Sequence, residues 1–285
     1  MFSIIIPTLN NLNYLKLCIS SIRKNSKFNH EIIIHVNVGN DGTIEFLKSN
    51  NIQYTYTKVN AGICEGVNLA SKLSSKEYIL YAHDDFYFCP NWDKYLFDEL
   101  IKIGHNKFYL SGTMIETLGE ISLNCGGSIE NFNENKLLRE YNNLNFKDFQ
   151  GSTWAPHLVH KHLWNKIGGF SEEYFPGTGS DPDLNKKLWD EGVRIFKGLK
   201  SCLVYHFGST VTRKNIDKSF KTESGSKGAK IFLLKWGISI KFFKKYYLKS
   251  NTPYKGVLTE PRKNLLYLLS LIKCKMLYIY YKIVF

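Results

Sequence analysis

The sequence predicts an α/β fold in which a mostly parallel sheet is flanked by helices. Short β-branched runs alternate with segments of helical periodicity from Phe2 to Ala82, which is typical of βαβ units on a parallel sheet. The chain has 285 residues, of which 44% are hydrophobic and 15% aromatic. That apolar content is enough for a large buried core and excludes a wholly disordered chain.

The elements of this alternating half follow one another at short intervals. Phe2–Ile6 is a β-branched run that Pro7 ends, as expected of a buried strand that enters a loop. Further strands are expected at 31–38, 53–58 and 78–82, with helices at 11–25, 43–50 and 62–73. Ligands of such sheets bind beyond the carboxyl ends of the strands. Polar residues stand at three of these ends: Pro7-Thr8, residues 37–41 and His83-Asp84-Asp85.

The alternation ends after Trp92. Residues 105–150 predict mixed strands and loops, followed by a helix at 183–191 and a strand at 201–205. The composition then changes to Lys, Ser and Thr beyond Gly208. We therefore expect a main domain over residues 1–209 and a helical appendage over residues 210–285.

Charge is distributed unevenly along the chain. The net charge is +13, from 38 Lys and Arg against 25 Asp and Glu, and the segment from Arg213 onward holds 17 basic and 3 acidic residues. The basic excess therefore lies in the appendage, since the preceding residues are close to neutral. The six cysteines show no metal-binding or disulfide spacing, which predicts reduced thiols in a cytoplasmic protein.

Two acidic motifs are candidate functional sites. Asp84 and Asp85 are adjacent carboxylates at a strand end, which repel each other unless a cation such as Mg²⁺ or Mn²⁺ neutralises them. A solvated acidic turn is the alternative. Asp181 and Asp183 stand in a glycine-rich loop before a helix, where Asp183 could cap the helix and Asp181 could serve as a base.

Four further residues each allow two interpretations. His206 closes a strand and is either structural or a third ligand beside Asp85. Asn60 and Gly62 form either a plain turn or part of a ligand site. Trp154 is either a core side chain or a platform for the apolar face of a sugar ring.

The order of these motifs resembles that of the family 2 glycosyltransferases. SIIIPTLN, EIIIHVNVGNDGTIEFLKS, NAGICEGVN, EYILYAHDDFYFCPNW, KIGGFSEEYFPGTGSDPDLNKKLWDEG and VYHFGS follow in the family's order between Phe2 and Ser209. The resemblance implies a GT-A type (Rossmann-like) fold. It also implies an inverting, metal-dependent transfer of a sugar from a nucleotide-diphosphosugar, with a UDP-sugar favoured, to a glycan or lipid-linked glycan acceptor in polysaccharide biosynthesis.

The resemblance also implies roles for individual residues. Asp85 matches the direct ligand of Mn²⁺ or Mg²⁺, His206 the histidine that completes the metal site, and Asp84 the ribose contact. Asp181 matches the catalytic base, with Ser180 where the family has Glu. Trp154 and Asp183 are expected on the acceptor side. The remaining donor-binding residues implied are Pro7, Thr8, Asn37, Asp41, Asn60 and Gly62.

A catalytically silent module that binds a nucleotide-sugar or a glycan is the alternative function. His83 and Ser180 depart from the family's pattern at the metal motif and at the base, and such departures suit a protein that binds without turnover.

The basic appendage predicts contact with an anionic surface. Its last stretch mixes large apolar residues with Lys273, Lys275 and Lys282, and its uncharged runs are too short to span a bilayer. We expect a peripheral anchor on the cytoplasmic face of the cell membrane, with lysines at anionic headgroups and no nucleic acid bound. The alternatives are a segment packed on the main domain and a dimer contact.

Overall fold

A ten-stranded mixed sheet forms the centre of the computed structural model, which describes residues 1–119, 121–208 and 218–284. The strands are β1 (Phe2–Leu9), β2 (Glu31–Asn37), β3 (Gln53–Thr57), β4 (Tyr78–Tyr81), β5 (Phe86–Phe88), β6 (Phe108–Ile115), β7 (Phe149–Gln150), β8 (His157–His160), β9 (Ile195–His206) and β10 (Thr252–Pro253). Their order is β10-β7-β9-β6-β8-β4-β1-β2-β3, and β5 pairs with β9 outside this path.

Helices cover the sheet. They are α1 (Leu12–Asn25), α2 (Thr43–Ser49), α3 (Gly62–Ser71), α4 (Trp92–Ile103), α5 (Glu134–Glu140), α6 (Lys161–Lys166), α7 (Ser180–Asp190), α8 (Lys218–Trp236), α9 (Ile240–Phe242) and α10 (Leu265–Val284). A π-helical turn, Phe243–Leu248, directly continues α9.

The half of the sheet formed by β1 to β4 is parallel, as the sequence predicts. β1 pairs with both β2 and β4, and β2 pairs with β3. β1 is buried along nearly its whole length because helices lie on both of its faces. The helix α3 approaches β2 closely at Gly66, where an added Cβ would lie only 2.4 Å from the Cδ2 atom of His35.

The other half of the sheet is mixed. β8 runs antiparallel between β4 and β6, whereas β6 and β9 are parallel to each other. The end of β9 also pairs with β5, in a register that sets His206 opposite Phe86. This register brings the end of β9 next to the residues that follow β4.

The C-terminal elements pack on the rest of the chain. Phe232 of α8 and Leu248 lie fully buried in the main hydrophobic core, and β10 pairs with β7 at the edge of the sheet. The domain boundary predicted at 209/210 lies outside the described residues. Among the helices of the described segments, none is both long enough and apolar enough to cross a membrane.

Candidate functional site

Three potential metal ligands converge where β4 and β9 end. One ligand atom each from His83, Asp85 and His206 lies within 4.8 Å of the others. Asp85 Oδ2 is 3.5 Å from His206 Nε2, and Asp85 Oδ1 is 4.0 Å from His83 Nδ1. Burial lowers the pKa of His83 to about 4. A neutral imidazole offers the free lone pair that a metal ion needs.

His206 is held by a second carboxylate. Its Nδ1 lies 2.7 Å from Oε1 of Glu116, which follows β6. Burial alone would lower the pKa of His206, but the Asp85 and Glu116 carboxylates outweigh burial and raise that pKa. Such a carboxylate behind a histidine fixes its tautomer and leaves Nε2 for a ligand, as in many metal sites.

These residues fit a divalent metal ion. His206 Nε2 is buried and has no hydrogen-bond partner among the described residues, although it faces the Asp85 carboxylate. Two imidazoles and one carboxylate form a donor set for a divalent transition metal ion, and the carboxylate is the ligand type among them that Mn²⁺ prefers. A cation here would also relieve the repulsion between Asp84 and Asp85.

The Asp84 carboxylate contacts β1. Thr8 Oγ1 donates to Asp84 Oδ2 at 2.7 Å. Burial, followed by repulsion from Asp85, raises the pKa of Asp84 to about 7. The Asp84 and Asp85 carboxyl groups thus contact different neighbours, which suits a different role for each of them.

Asp181 stands in the first turn of α7, facing β8. Its Oδ1 lies 3.9 Å from Nδ1 of His157, and 30% of its side chain remains accessible to solvent. Burial raises the pKa of Asp181 to about 7, while burial and then His83 lower that of His157 to about 3. A carboxyl group deep in the protein but open at one side can take a proton from a hydroxyl group near neutral pH.

One aromatic ring lies near both the metal cluster and the Asp181–His157 pair. The ring centroid of Tyr81 is 5.4 Å from that of His83 and 5.1 Å from that of His157. Asp181 Oδ1 and both ring nitrogens of His157 are buried with no hydrogen-bond partner among the described residues. Orphaned polar atoms of this kind are costly in a finished core and common at sites that receive a ligand.

The predicted donor-binding residues at β2 and α3 form one connected loop system. Asn37 Oδ1 accepts from the backbone N–H of Ala61 at 2.8 Å, and Asn60 Oδ1 accepts from that of Gly62 at 2.9 Å. Gly62 has φ +79°, and an added Cβ would lie 2.8 Å from Cδ2 of Phe175. The Asn37 and Asn60 side chains therefore shape the loop, and only glycine fits at 62.

Two other predicted donor-binding residues, Asp41 and Pro7, make contacts different from those of Asn37 and Asn60. Asp41 Oδ2 accepts from the backbone N–H of Leu12 at 2.8 Å, and its Oδ1 accepts from the Thr43 hydroxyl at 2.6 Å. Asp41 thus ties the start of α1 to the start of α2. Pro7 is half-buried within β1, opposite His35 of β2.

Asp183 is buried and surrounded by donors. Its carboxylate accepts from Ser171 Oγ at 2.5 Å, Tyr174 Oη at 3.2 Å and Trp236 Nε1 at 2.7 Å, and it pairs with Lys235 Nζ at 3.1 Å. This side chain is 0% exposed. The geometry supports a structural role, in which Asp183 fastens α8 to α7, and gives no support to the predicted acceptor contact.

Trp154 lines a cleft of about 500 Å³. Its ring stacks on that of Phe149, with centroids 5.0 Å apart. The cleft also reaches Glu116, the residue that holds His206. An aromatic pair in a cleft that extends to Glu116 is a suitable surface for a sugar ring.

Sequence reasoning assigned no role to Glu116 or His157. Glu116 reaches His206 because β6 and β9 pair in parallel, and His157 reaches Asp181 because β8 inserts between β4 and β6. Neither pairing leaves a periodic signal in the local sequence. His157 follows directly after the cis bond at Ala155-Pro156, but that bond gives no hint of the partner.

Comparison with known proteins bears on this arrangement. Residues 3–116 match the sequence profile of the family described as Glycosyl transferase family 2. No curated protein sequence matches the chain. The confirmed resemblance covers the N-terminal part, which includes the strand end at Asp84 and Asp85.

Solved structures share the fold at low sequence identity. S. aureus TarS 1–349 in complex with UDP-GlcNAc matches with a TM-score of 0.54 and 14% identity, over 85% of this chain and 74% of that one. The chain spans 43% of S. aureus TarS, at a TM-score of 0.54 and 15% identity over 81% of its own length. GalNAc-T7 with UDP, GalNAc and Mn²⁺ matches at 0.55 and 13% identity, over 72% of this chain and 43% of that one. These likenesses confirm the GT-A type fold.

Proposed function

We propose that this chain, which matches the family 2 glycosyltransferases over residues 3–116 and has a GT-A type fold, transfers a sugar from a nucleotide-diphosphosugar to a glycan or lipid-linked glycan acceptor with inversion. One observation carries the proposal. Residues from three separate parts of the chain meet around Tyr81 at the carboxyl ends of the strands: Asp84 with Asp85, Asp181, and His206.

The donor proposed is a UDP-sugar. S. aureus TarS 1–349, which shares the fold, is known in complex with UDP and with UDP-GlcNAc. Ligands of such sheets bind beyond the carboxyl ends of the strands, which supports a nucleotide site at the ends of β1, β2 and β4. The polar face formed by Thr8, Asp84 and the loop at Asn60 suits a ribose and a diphosphate. Asn37 and Asp41 support this face by fixing its loops.

Asp181 is the proposed base. A hydroxyl group of the acceptor must lose its proton as its oxygen attacks the anomeric carbon and the bond to the diphosphate breaks. Asp181 takes up that proton, since its pKa of about 7 leaves it partly ionised at neutral pH. One base opposite the leaving group gives a one-step displacement with inversion. His157 stays neutral beside Asp181 and does not compete for the proton.

Asp85, His206 and His83 are the proposed ligands of Mn²⁺ or Mg²⁺. Such an ion neutralises negative charge on a leaving diphosphate. GalNAc-T7, which shares the fold, is known with Mn²⁺. Glu116 keeps His206 oriented through Nδ1, so that Nε2 faces Asp85.

The cleft at Trp154 is the proposed acceptor site. Its stacked aromatic pair provides an apolar surface, and Glu116 connects the cleft to the metal cluster.

The C-terminal helices are the proposed contact with the cytoplasmic face of the cell membrane, where a lipid-linked acceptor in polysaccharide biosynthesis would be found.

Donor hydrolysis followed by proton NMR tests the proposed function. With Mn²⁺ and UDP-GlcNAc, we expect slow release of UDP and of the sugar as its β anomer before mutarotation, because water replaces the acceptor with inversion. Asp181→Asn is the matched control and should release far less. Initial release of the α anomer would contradict inversion, and binding of the donor without any release would support the silent binding module instead.

A further inference from the structure

The helix α10 has two apolar faces. Tyr267, Leu271, Cys274, Tyr278 and Tyr281 face the hydrophobic core. At about 100° of rotation per residue, the opposite side of the helix carries mainly apolar residues, with Lys273 at its edge. We call these the outer stripe: Leu265, Leu269, Ile272, Met276, Ile279 and Ile283, which are 55–79% exposed.

The outer stripe has the character of a binding surface. It runs for about 27 Å along the helix, and a contiguous apolar patch of that length is unusual on a soluble protein. Lys273 flanks it on one side, and Lys275 and Lys282 flank it on the other. From Pro261 onward the sequence has five basic and no acidic residues.

A basic cleft of about 1090 Å³ opens beside α10. Six lysines line it: Lys230, Lys241, Lys244, Lys245, Lys249 and Lys255. No carboxylate is among the lining residues, and within the described segments no ion pair engages the five lysines from 241 onward. We call this the lysine cleft.

Of the six lysines, the five from Lys241 onward face no carboxylate among the lining residues that the structure describes. Lys244 is half-buried, and this burial lowers its pKa. A partly desolvated ammonium group is stabilised by an anion beside it. The wall of the cleft includes Leu277 and Tyr281, which belong to α10. Tyr281 belongs to the core-facing side of the helix, and Leu277 lies between that side and the outer stripe, so the cleft opens along one flank of the same helix.

We propose that the lysine cleft binds the phosphate headgroup of an anionic membrane lipid while the outer stripe inserts among the acyl chains. This inference rests on the peripheral membrane association proposed above and assigns it a headgroup site. A ligand with a negative head and apolar tails uses both surfaces together. A soluble phosphate would leave the stripe uncovered, and an apolar protein partner would leave the lysines without an anion.

Vesicle flotation tests this inference. The full chain should float with phosphatidylcholine vesicles that contain phosphatidylglycerol, and much less with phosphatidylcholine alone. The triple variant Lys241→Gln, Lys244→Gln, Lys245→Gln should bind anionic vesicles about 100-fold more weakly, at roughly 1 kcal/mol per lysine near the surface.

The matched control removes three exposed lysines outside the cleft, by Lys48→Gln, Lys72→Gln and Lys107→Gln. Its binding should change by only a few-fold, because the loss of net charge is the same but the cleft is intact. Equal weakening of both triple variants would overturn the headgroup site in favour of general charge attraction.

The outer stripe is tested by Ile272→Ser with Met276→Ser, two exposed substitutions that leave the core untouched. This variant should bind anionic vesicles more weakly than the parent and retain the same melting temperature. Unchanged binding, together with full displacement by inorganic phosphate, would overturn the lipid assignment and indicate a soluble anion. A concentration-dependent dimer that this variant abolishes, with no vesicle binding by the parent, would also overturn it.

Donor hydrolysis by all variants separates the two proposals. Loss of vesicle binding with hydrolysis intact concerns the headgroup site alone. A parent chain that floats with vesicles but never hydrolyses donor would contradict the transferase and leave the headgroup site supported.

Discussion

Replacing Asp181 by Asn should stabilise the protein while it disables transfer. The carboxyl group has a pKa of about 7 in the folded chain, raised by burial from 3.8. Since the folded state binds its proton more tightly than the unfolded state, ionisation costs stability as the pH rises from 3.8 to about 7. Below that window the cost is absent, and above it the cost is constant. Asn keeps the shape of the side chain and cannot ionise.

The size of the effect follows from the shift in pKa. At 1.36 kcal/mol per unit, the shift from 3.8 to about 7 corresponds to at most about 4 kcal/mol of unfolding free energy above pH 7. Solvent reaches 30% of the side chain, so we expect about 2 kcal/mol, or an increase in melting temperature of about 5 °C. At pH 5 the folded carboxyl is mostly protonated, and the gain should be less than half as large.

Two measurements on one variant check this reasoning. Thermal unfolding at pH 5 and pH 8 should show that the stabilisation by Asp181→Asn grows with pH. Donor turnover by the parent should rise with pH up to about 7, whereas the variant should be slower by two to four orders of magnitude, about the contribution of a positioned base. A variant that is less stable than the parent at pH 8 would refute the burial argument, and one with unchanged turnover would refute the base.

Three further substitutions and one truncation test other parts of the protein. Asp85→Asn should abolish Mn²⁺-dependent binding of UDP, measured by calorimetry, and equal affinity with the parent would contradict the metal assignment. Trp154→Ala should raise the KM for acceptor and leave the Kd for UDP unchanged. A higher Kd for UDP would contradict the assignment of Trp154 to the acceptor site. Trp236→Phe removes the 2.7 Å hydrogen bond to buried Asp183 and should cost about 1–3 kcal/mol of unfolding free energy by urea denaturation. Truncation after residue 209 should give an aggregating fragment, because Phe232 and Leu248 fill the core, and a soluble folded fragment would contradict this.

The parallel half of the fold could be predicted because its signals are local. β1 to β4 and α1 to α3 are each encoded by the periodicity of their own residues, and a strand end can be recognised from residues next to it. Asp84 and Asp85 could be found in this way, since they directly follow β4.

Contacts across the mixed half could not be predicted in the same way. Glu116 and His206 are 90 residues apart, and only the pairing of β6 with β9 brings them together. Asp183 is a second example, because the sequence indicates a helix cap or an acceptor contact and gives no sign of the donors that surround this carboxylate. Its donors, Lys235 and Trp236, come from a helix more than fifty residues later.

A crystal of the chain grown with Mn²⁺ and UDP, with data collected at the manganese absorption edge, tests the central claim most directly. The account predicts one strong anomalous peak among Asp85, His206 and His83, with the diphosphate next to it. The uracil and ribose should lie toward Thr8 and Asp84. A nucleotide bound away from these strand ends, or UDP bound there with no manganese between Asp85 and His206, would contradict the account.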